Sequence, residues 1–166
     1  MNDGTLYTLA EELGQQLEAA GLVVTTAESC TGGWIAKCLT DVPGSSTWFE
    51  RGLVTYSNEA KSSLIDVPAR LLDADGAVSE AVVRAMAEGA LQNSTADLSV
   101  AVSGVAGPDG GSDEKPVGTV WLAWARRTDG HADCESRVEY FRGGRESIRR
   151  QAVAAALAGL ITLISY

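Results

Sequence analysis

Two short polar stretches carry residues able to do acyl chemistry without a histidine. In Thr26-Ala-Glu-Ser29-Cys-Thr31-Gly32-Gly33, a serine follows the apolar run Leu22-Val-Val-Thr-Thr and precedes a helix-like run. Such a serine projects from the end of a strand, and the backbone N–H groups of Thr31 to Gly33 would point into a cleft at a helix start, which favours an anion. A nucleophile and an anion can then share one place. The same small polar residues also serve an ordinary capped strand-to-helix turn. The second stretch is Tyr56-Ser-Asn-Glu-Ala-Lys61. In a helix starting near Asn58, Lys61 sits one turn in and can share a cleft with Tyr56. Its value would be as a base, because burial or a neighbouring cation can lower a lysine pKa enough to accept a serine proton. The plainer role is a solvated lysine on a short helix.

Two further clusters suit anion binding. Ser103-Gly104-Val-Ala-Gly107-Pro108-Asp-Gly110-Gly111, continuing to Gly118, is a long glycine-rich loop placed after a strand. Ligands of open α/β sheets sit beyond strand C-termini, and the amides of such a loop can hold an oxyanion or phosphate. It matches neither the Gly-Lys-Ser/Thr phosphate loop nor the Gly-x-Gly-x-x-Gly dinucleotide pattern, and a floppy connection has the same composition. Arg142-Gly143-Gly144-Arg145 opens the last helix. An arginine at a helix N-terminus opposes the dipole, so an anionic ligand helps explain Arg145, with Glu146 as a local alternative.

Counting narrows the chemistry. There is one histidine, His131, in the polar turn Thr128-Asp-Gly-His-Ala-Asp133, so a Ser-His-Asp triad or a histidine-rich metal site lacks its parts. The cysteines Cys30, Cys38 and Cys134 show no metal-type pairing and are expected as reduced thiols. Cys30 is a rival nucleophile beside Ser29, but with no histidine near it in sequence it is expected to pack.

These residues need elements to position them. Leu6, Leu9, Leu13 and Leu17 predict an amphipathic helix over residues 5 to 20, ending before Gly21. A strand follows over Leu22 to Thr26, a helix over Gly33 to Leu39, a turn at Asp41-Val-Pro-Gly44 and a strand over Trp48 to Tyr56. Asn58 is expected to cap a short helix from Glu59 to Ile65, and a polar connection runs from Pro68 to Ala77. Ser79 and Glu80 open a helix to about Leu91. Leu98 to Val102 reads as a strand, Gly104 to Pro116 as a loop, and Gly118 to Arg126 with Asp133 to Phe141 as paired strands turning at Asp129-Gly130. A final helix follows Gly143-Gly144, its tail from Ala152 to Ile164 serving as core or subunit interface. Strands alternating with helices before a closing strand pair predict an α/β fold with a mixed, mostly parallel sheet covered on both faces.

The 166 residues, 45% of them apolar and 21% charged, predict one domain spanning 1–166. A formal charge of −9 argues against a general nucleic-acid partner, since that binding is driven by Lys and Arg. We expect no membrane partner and a cytoplasmic protein, because no run looks long enough to span a bilayer and Met1-Asn-Asp-Gly lacks signal-peptide character.

Together, in this order and spacing, the stretches Thr26 to Gly33, Tyr56 to Lys61, Ser103 to Gly118 and Gly143 to Arg145 resemble the CinA C-terminal family. The family includes stand-alone nicotinamide-nucleotide amidohydrolases, and the resemblance covers essentially the whole chain. It implies a three-layer α/β/α sandwich that deamidates nicotinamide mononucleotide to nicotinic acid mononucleotide and ammonia, in pyridine-nucleotide salvage, without metal or cofactor. It puts the nucleophile on Ser29 and the base on Lys61, with Tyr56 in support. For the nucleotide substrate it leaves three candidate subsites: Thr31, Gly32 and Gly33 at the helix start, Ser103, Gly104 and Gly107 in the loop, and Arg145. We expect a homo-oligomer. The competing functions are a non-catalytic nucleotide-binding or regulatory domain, and an amidase with a different substrate.

Overall fold

Alternation along three buried strands builds two different faces. In the computed structural model, which describes residues 1–166, Leu98, Val100 and Val102 of β3 (Leu98–Gly104) join Val120, Leu122 and Trp124 of β4 (Thr119–Thr128) on one face of the sheet. The intervening Ala101, Ala123 and Ala125 lie on the other, with Ala27 of β1 (Val24–Glu28). The large-residue face is covered by α1 (Asp3–Ala20), α2 (Trp34–Thr40) and α6 (Arg145–Ile164) through Leu6, Leu13, Ile35 and Leu157. The alanine face is covered by α3 (Asn58–Ile65), α4 (Ala69–Asp75) and α5 (Glu80–Gln92) through Ile65, Leu72, Val82 and Met86. Small side chains let α5 approach closely, and the Ser99 hydroxyl bonds the Ala87 carbonyl at 2.7 Å.

The fold is therefore the expected α/β/α sandwich. Strand order is β2-β1-β3-β4-β5, with β2 spanning Phe49–Val54 and β5 His131–Tyr140. β1 pairs in parallel with β2 and β3, while β3–β4 and β4–β5 are antiparallel. The sheet is mixed as expected: four strands run one way and only β4 runs against them. The C-termini of β1, β2 and β3 consequently share one edge, where Ser29, Thr55 and the glycine-rich loop emerge. β5 ends at that same edge, and through Gly143 and Gly144 it delivers the start of α6 there.

Most elements lie within a few residues of their predicted bounds, and three observations depart from the sequence reading. Ser57, not Asn58, caps α3, its hydroxyl accepting the Ala60 amide at 3.0 Å. The connection after Pro68 contains α4, which buries only Leu72 and so shows no periodic stripe in sequence. α6 is 20 residues long with a mean hydropathy of 1.3 in its most apolar window, long and apolar enough by those measures to cross a bilayer. Here it packs Val153, Leu157 and Leu160 into the core, and its first turns carry Arg145, Glu146, Arg149 and Arg150. It is a core helix.

Candidate active site

At the shared edge, Ser29 and Lys61 meet. Ser29 follows the last residue of β1, its amide donating to the Val102 carbonyl at 3.0 Å so that the chain leaves the sheet beside β3. Lys61 points from the first turns of α3 and is only 1% exposed. Its Nζ lies 3.0 Å from Ser29 Oγ, 2.8 Å from the Thr55 carbonyl and 3.3 Å from the Tyr56 carbonyl. No ion pair of the molecule involves it. Burial holds its pKa below the ordinary lysine value, opposed by the nearby Cys30 thiol. A protonated Lys61 donates to all three oxygens; once neutral, it keeps two N–H bonds to the carbonyls and can turn its lone pair to the serine hydroxyl. That is the geometry of a base beside its nucleophile.

In front of Ser29 lies a cavity of about 320 Å³, lined by Cys30, Tyr56, Gly104 to Gly107, Asp109 and Arg145 among others. Its size suits a small ligand. The Arg145 guanidinium donates to the Gly107 carbonyl at 2.7 Å and to the Tyr56 hydroxyl at 3.3 Å, and it has no carboxylate partner. The backbone N–H groups of Cys30, Ala106 and Gly107 donate to no protein acceptor. Lys115 donates to the Asp75 carbonyl at 2.7 Å, so the loop is fastened to the protein at both Lys115 and Gly107.

Of the residues singled out from sequence, Ser29, Lys61, Tyr56, Gly104, Gly107 and Arg145 come together here. Others do not. Thr31, Gly32 and Gly33 do not line the cavity, and the start of α2 is already filled by the buried Glu28 carboxylate. Glu28 accepts the Ile35 amide at 2.8 Å, the Ala36 amide at 3.0 Å and the Thr31 hydroxyl at 2.7 Å. Burial raises its pKa, and these bonds work against the rise. Ser103 is buried with its hydroxyl on the Ala77 carbonyl, 2.8 Å away. The Tyr56 phenol reaches Arg145, and only its carbonyl touches Lys61.

Sequence reasoning passed over Glu28, Asp109 and Arg149. Glu28 had a signal, an acid in an otherwise buried strand. Arg149 donates to the Cys30 carbonyl and the Thr31 carbonyl, each at 3.0 Å, and lies over the Trp34 ring. Burial pushes the Cys30 thiol up to about 11, so it stays protonated near neutral pH. His131 is exposed on the β4–β5 turn. Nowhere do three or more His, Cys, Asp or Glu side chains cluster in a way that could hold a metal ion.

The sequence matches the CinA C-terminal domain over residues 6–164. It is 57% identical over 160 residues to the nicotinamide-nucleotide amidohydrolase PncC of Escherichia coli K12, covering 96% of this chain and 95% of that protein. The PncC of Pseudomonas putida is 57% identical over 158 residues, 95% and 96% of the two chains. Among solved structures, the competence damage-inducible protein A (ComA) of Klebsiella pneumoniae superposes with a TM-score of 0.92 at 40% identity, covering 97% of this chain and 98% of that one.

Proposed function

The chain belongs to the CinA C-terminal domain family, and from that premise we propose that it hydrolyses nicotinamide mononucleotide to nicotinic acid mononucleotide and ammonia by a serine-lysine acyl-enzyme route. The substrate rests on near full-length identity to nicotinamide-nucleotide amidohydrolases. The observation that carries the mechanism is the 3.0 Å contact between Ser29 Oγ and a buried, unpaired Lys61.

Lys61 takes the hydroxyl proton as Ser29 Oγ attacks the carboxamide carbon. The oxyanion that develops is stabilised by the free amide of Cys30, with the unpaired Ala106 and Gly107 amides belonging to residues that line the same cavity. Both remaining amine hydrogens are engaged by the Thr55 and Tyr56 carbonyls, so the proton just acquired is the one that goes to the leaving nitrogen, and ammonia departs. Water, deprotonated by Lys61, then attacks the acyl ester and releases Ser29. The substrate phosphate is assigned to Arg145. That guanidinium is exposed in the cavity without an acid partner, whereas the rival position at the start of α2 is occupied by Glu28. Tyr56 acts as a support, its carbonyl orienting the amine and its phenol orienting Arg145. A cytoplasmic homo-oligomer with no nucleic-acid or membrane partner completes the proposal.

The test is ammonia release from nicotinamide mononucleotide by the purified protein and by Ser29→Ala. Turnover lost in the variant supports the proposal. Tight nucleotide binding with no turnover by the unaltered protein would leave a binding or regulatory module.

A further inference from the structure

We infer that Arg149 is a positioning residue of the reaction: from α6 it holds the backbone of the nucleophile turn so that the amides beside Ser29 stay aimed at the developing oxyanion. The inference rests on Ser29 being the nucleophile. Residues 29 to 32 form a tight turn in which the Gly32 amide donates to the Ser29 carbonyl at 3.0 Å. The next two carbonyls, of Cys30 and Thr31, both go to Arg149, through Nε and Nη2 at 3.0 Å each. In a trans peptide the C=O and the following N–H point in opposite directions. Fixing the Cys30 carbonyl on Arg149 therefore turns the Thr31 N–H away from it, and fixing the Thr31 carbonyl does the same for the Gly32 N–H that closes the turn. The unpaired Cys30 amide, on a residue that lines the cavity, belongs to this same segment, and its peptide partner, the Ser29 carbonyl, is held by that Gly32 N–H.

The contact has an electrical side. Arg149 forms no ion pair, so its charge is not cancelled by a carboxylate and falls on those two peptide groups. A carbonyl bonded to a cation polarises its peptide unit and strengthens the N–H at the other end. Its effect reaches the active site, since Arg149 favours the anionic form of the neighbouring Cys30.

The guanidinium is itself held. It lies 5.3 Å from the centroid of Trp34, and on the far side of the turn Glu28 grips the start of α2. The same helix supplies Arg145 four residues earlier, on the same face, where it holds the Gly107 carbonyl. One rigid helix thus sets the distance between the nucleophile turn and the glycine-rich loop. A lysine at position 149 keeps the charge but cannot present two donors in a fixed plane to two carbonyls.

The experiment compares Arg149→Lys and Arg149→Ala in the full chain, measuring kcat and KM for nicotinamide mononucleotide, the folded fraction by circular dichroism, and recovery on adding millimolar guanidinium ion. We expect kcat to fall roughly 10- to 100-fold in Arg149→Lys, as for small misplacements of a reacting group, with KM changed by less than about threefold. Arg149→Ala should fall further and regain part of its kcat with guanidinium. A kcat within about twofold of the unaltered protein in a folded variant overturns the inference. So does a loss confined to KM, or one that tracks the unfolded fraction and ignores guanidinium. Activity retained by Ser29→Ala would instead remove the premise, so the two failures are distinguishable.

Discussion

The two walls of the cavity work by opposite physics. The inner wall is Ser29, with Lys61 buried beside it and without a counter-ion, and the proposed mechanism relies on keeping a charge off that amine. The outer rim, Arg145 with Tyr56, is open to water and keeps its charge without an acid partner, anchored on the buried Gly107 carbonyl. A buried lysine is tuned by what is withheld from it, while an exposed arginine is useful for what it can still bind. Changes at the inner wall should therefore act on kcat, and changes at the rim on the ligand.

The largest effect belongs to Ser29→Ala, which should remove at least about 10³-fold of kcat while leaving nucleotide affinity and the fold in place. Steady-state ammonia release beside a binding titration checks this. If activity survives there and Cys30→Ala is inactive, the inner wall has been assigned to the wrong residue.

Next in size is Lys61→Arg, which retains a cation but cannot surrender its proton, and a loss of about 10³-fold is expected with binding preserved. In the proposed mechanism the neutral amine is the active form. Because burial lowers its pKa, kcat/KM should rise with pH along a limb whose midpoint lies below the ordinary lysine value of 10.5. A pH–rate profile still climbing at that value would show that the inner wall does not tune the amine.

At the rim, Arg145→Ala should weaken kcat/KM for the nucleotide roughly tenfold more than for the phosphate-free riboside, the scale of one charge-assisted contact. Equal losses on both substrates would move Arg145 from reading phosphate to supporting the loop. The smallest effect is expected for Cys30→Ala, within about threefold in kcat, because a thiol raised to about 11 supplies no thiolate.

How much of this was legible in the sequence follows from the range of each interaction. Turn chemistry and periodicity are local, so α1, α5 and the β4–β5 hairpin at Asp129-Gly130 stand out in the residues themselves. The pairing of Ser29 with Lys61, 32 positions away, came from the family resemblance, since each stretch alone also read as an ordinary cap or a solvated lysine. The state of a helix start is not local. Gly32-Gly33 and Gly143-Gly144 look alike as text, but Glu28 fills the first, and at the second the side chain of Arg145 faces the cavity. Arg149 was harder still, since the carbonyls it holds lie 118 and 119 residues earlier and backbone acceptors leave no mark on side-chain spacing. α4 stayed hidden because one buried leucine makes no pattern.

The reversal between β3 and β4 has a consequence for how such a protein can diversify. Gly104 and Val120 are register partners, so both feet of the glycine-rich loop stand side by side on paired strands. A segment tethered in that way can be lengthened or exchanged at slight thermodynamic cost, since doubling a loop adds only about 0.6 kcal/mol of closure entropy. Neither foot carries Ser29 or Lys61. Under the proposed function, exchange of this loop would change how ligand and oxyanion are held, through Ala106, Gly107 and the contact to Arg145, and would leave the Ser29–Lys61 contact in place.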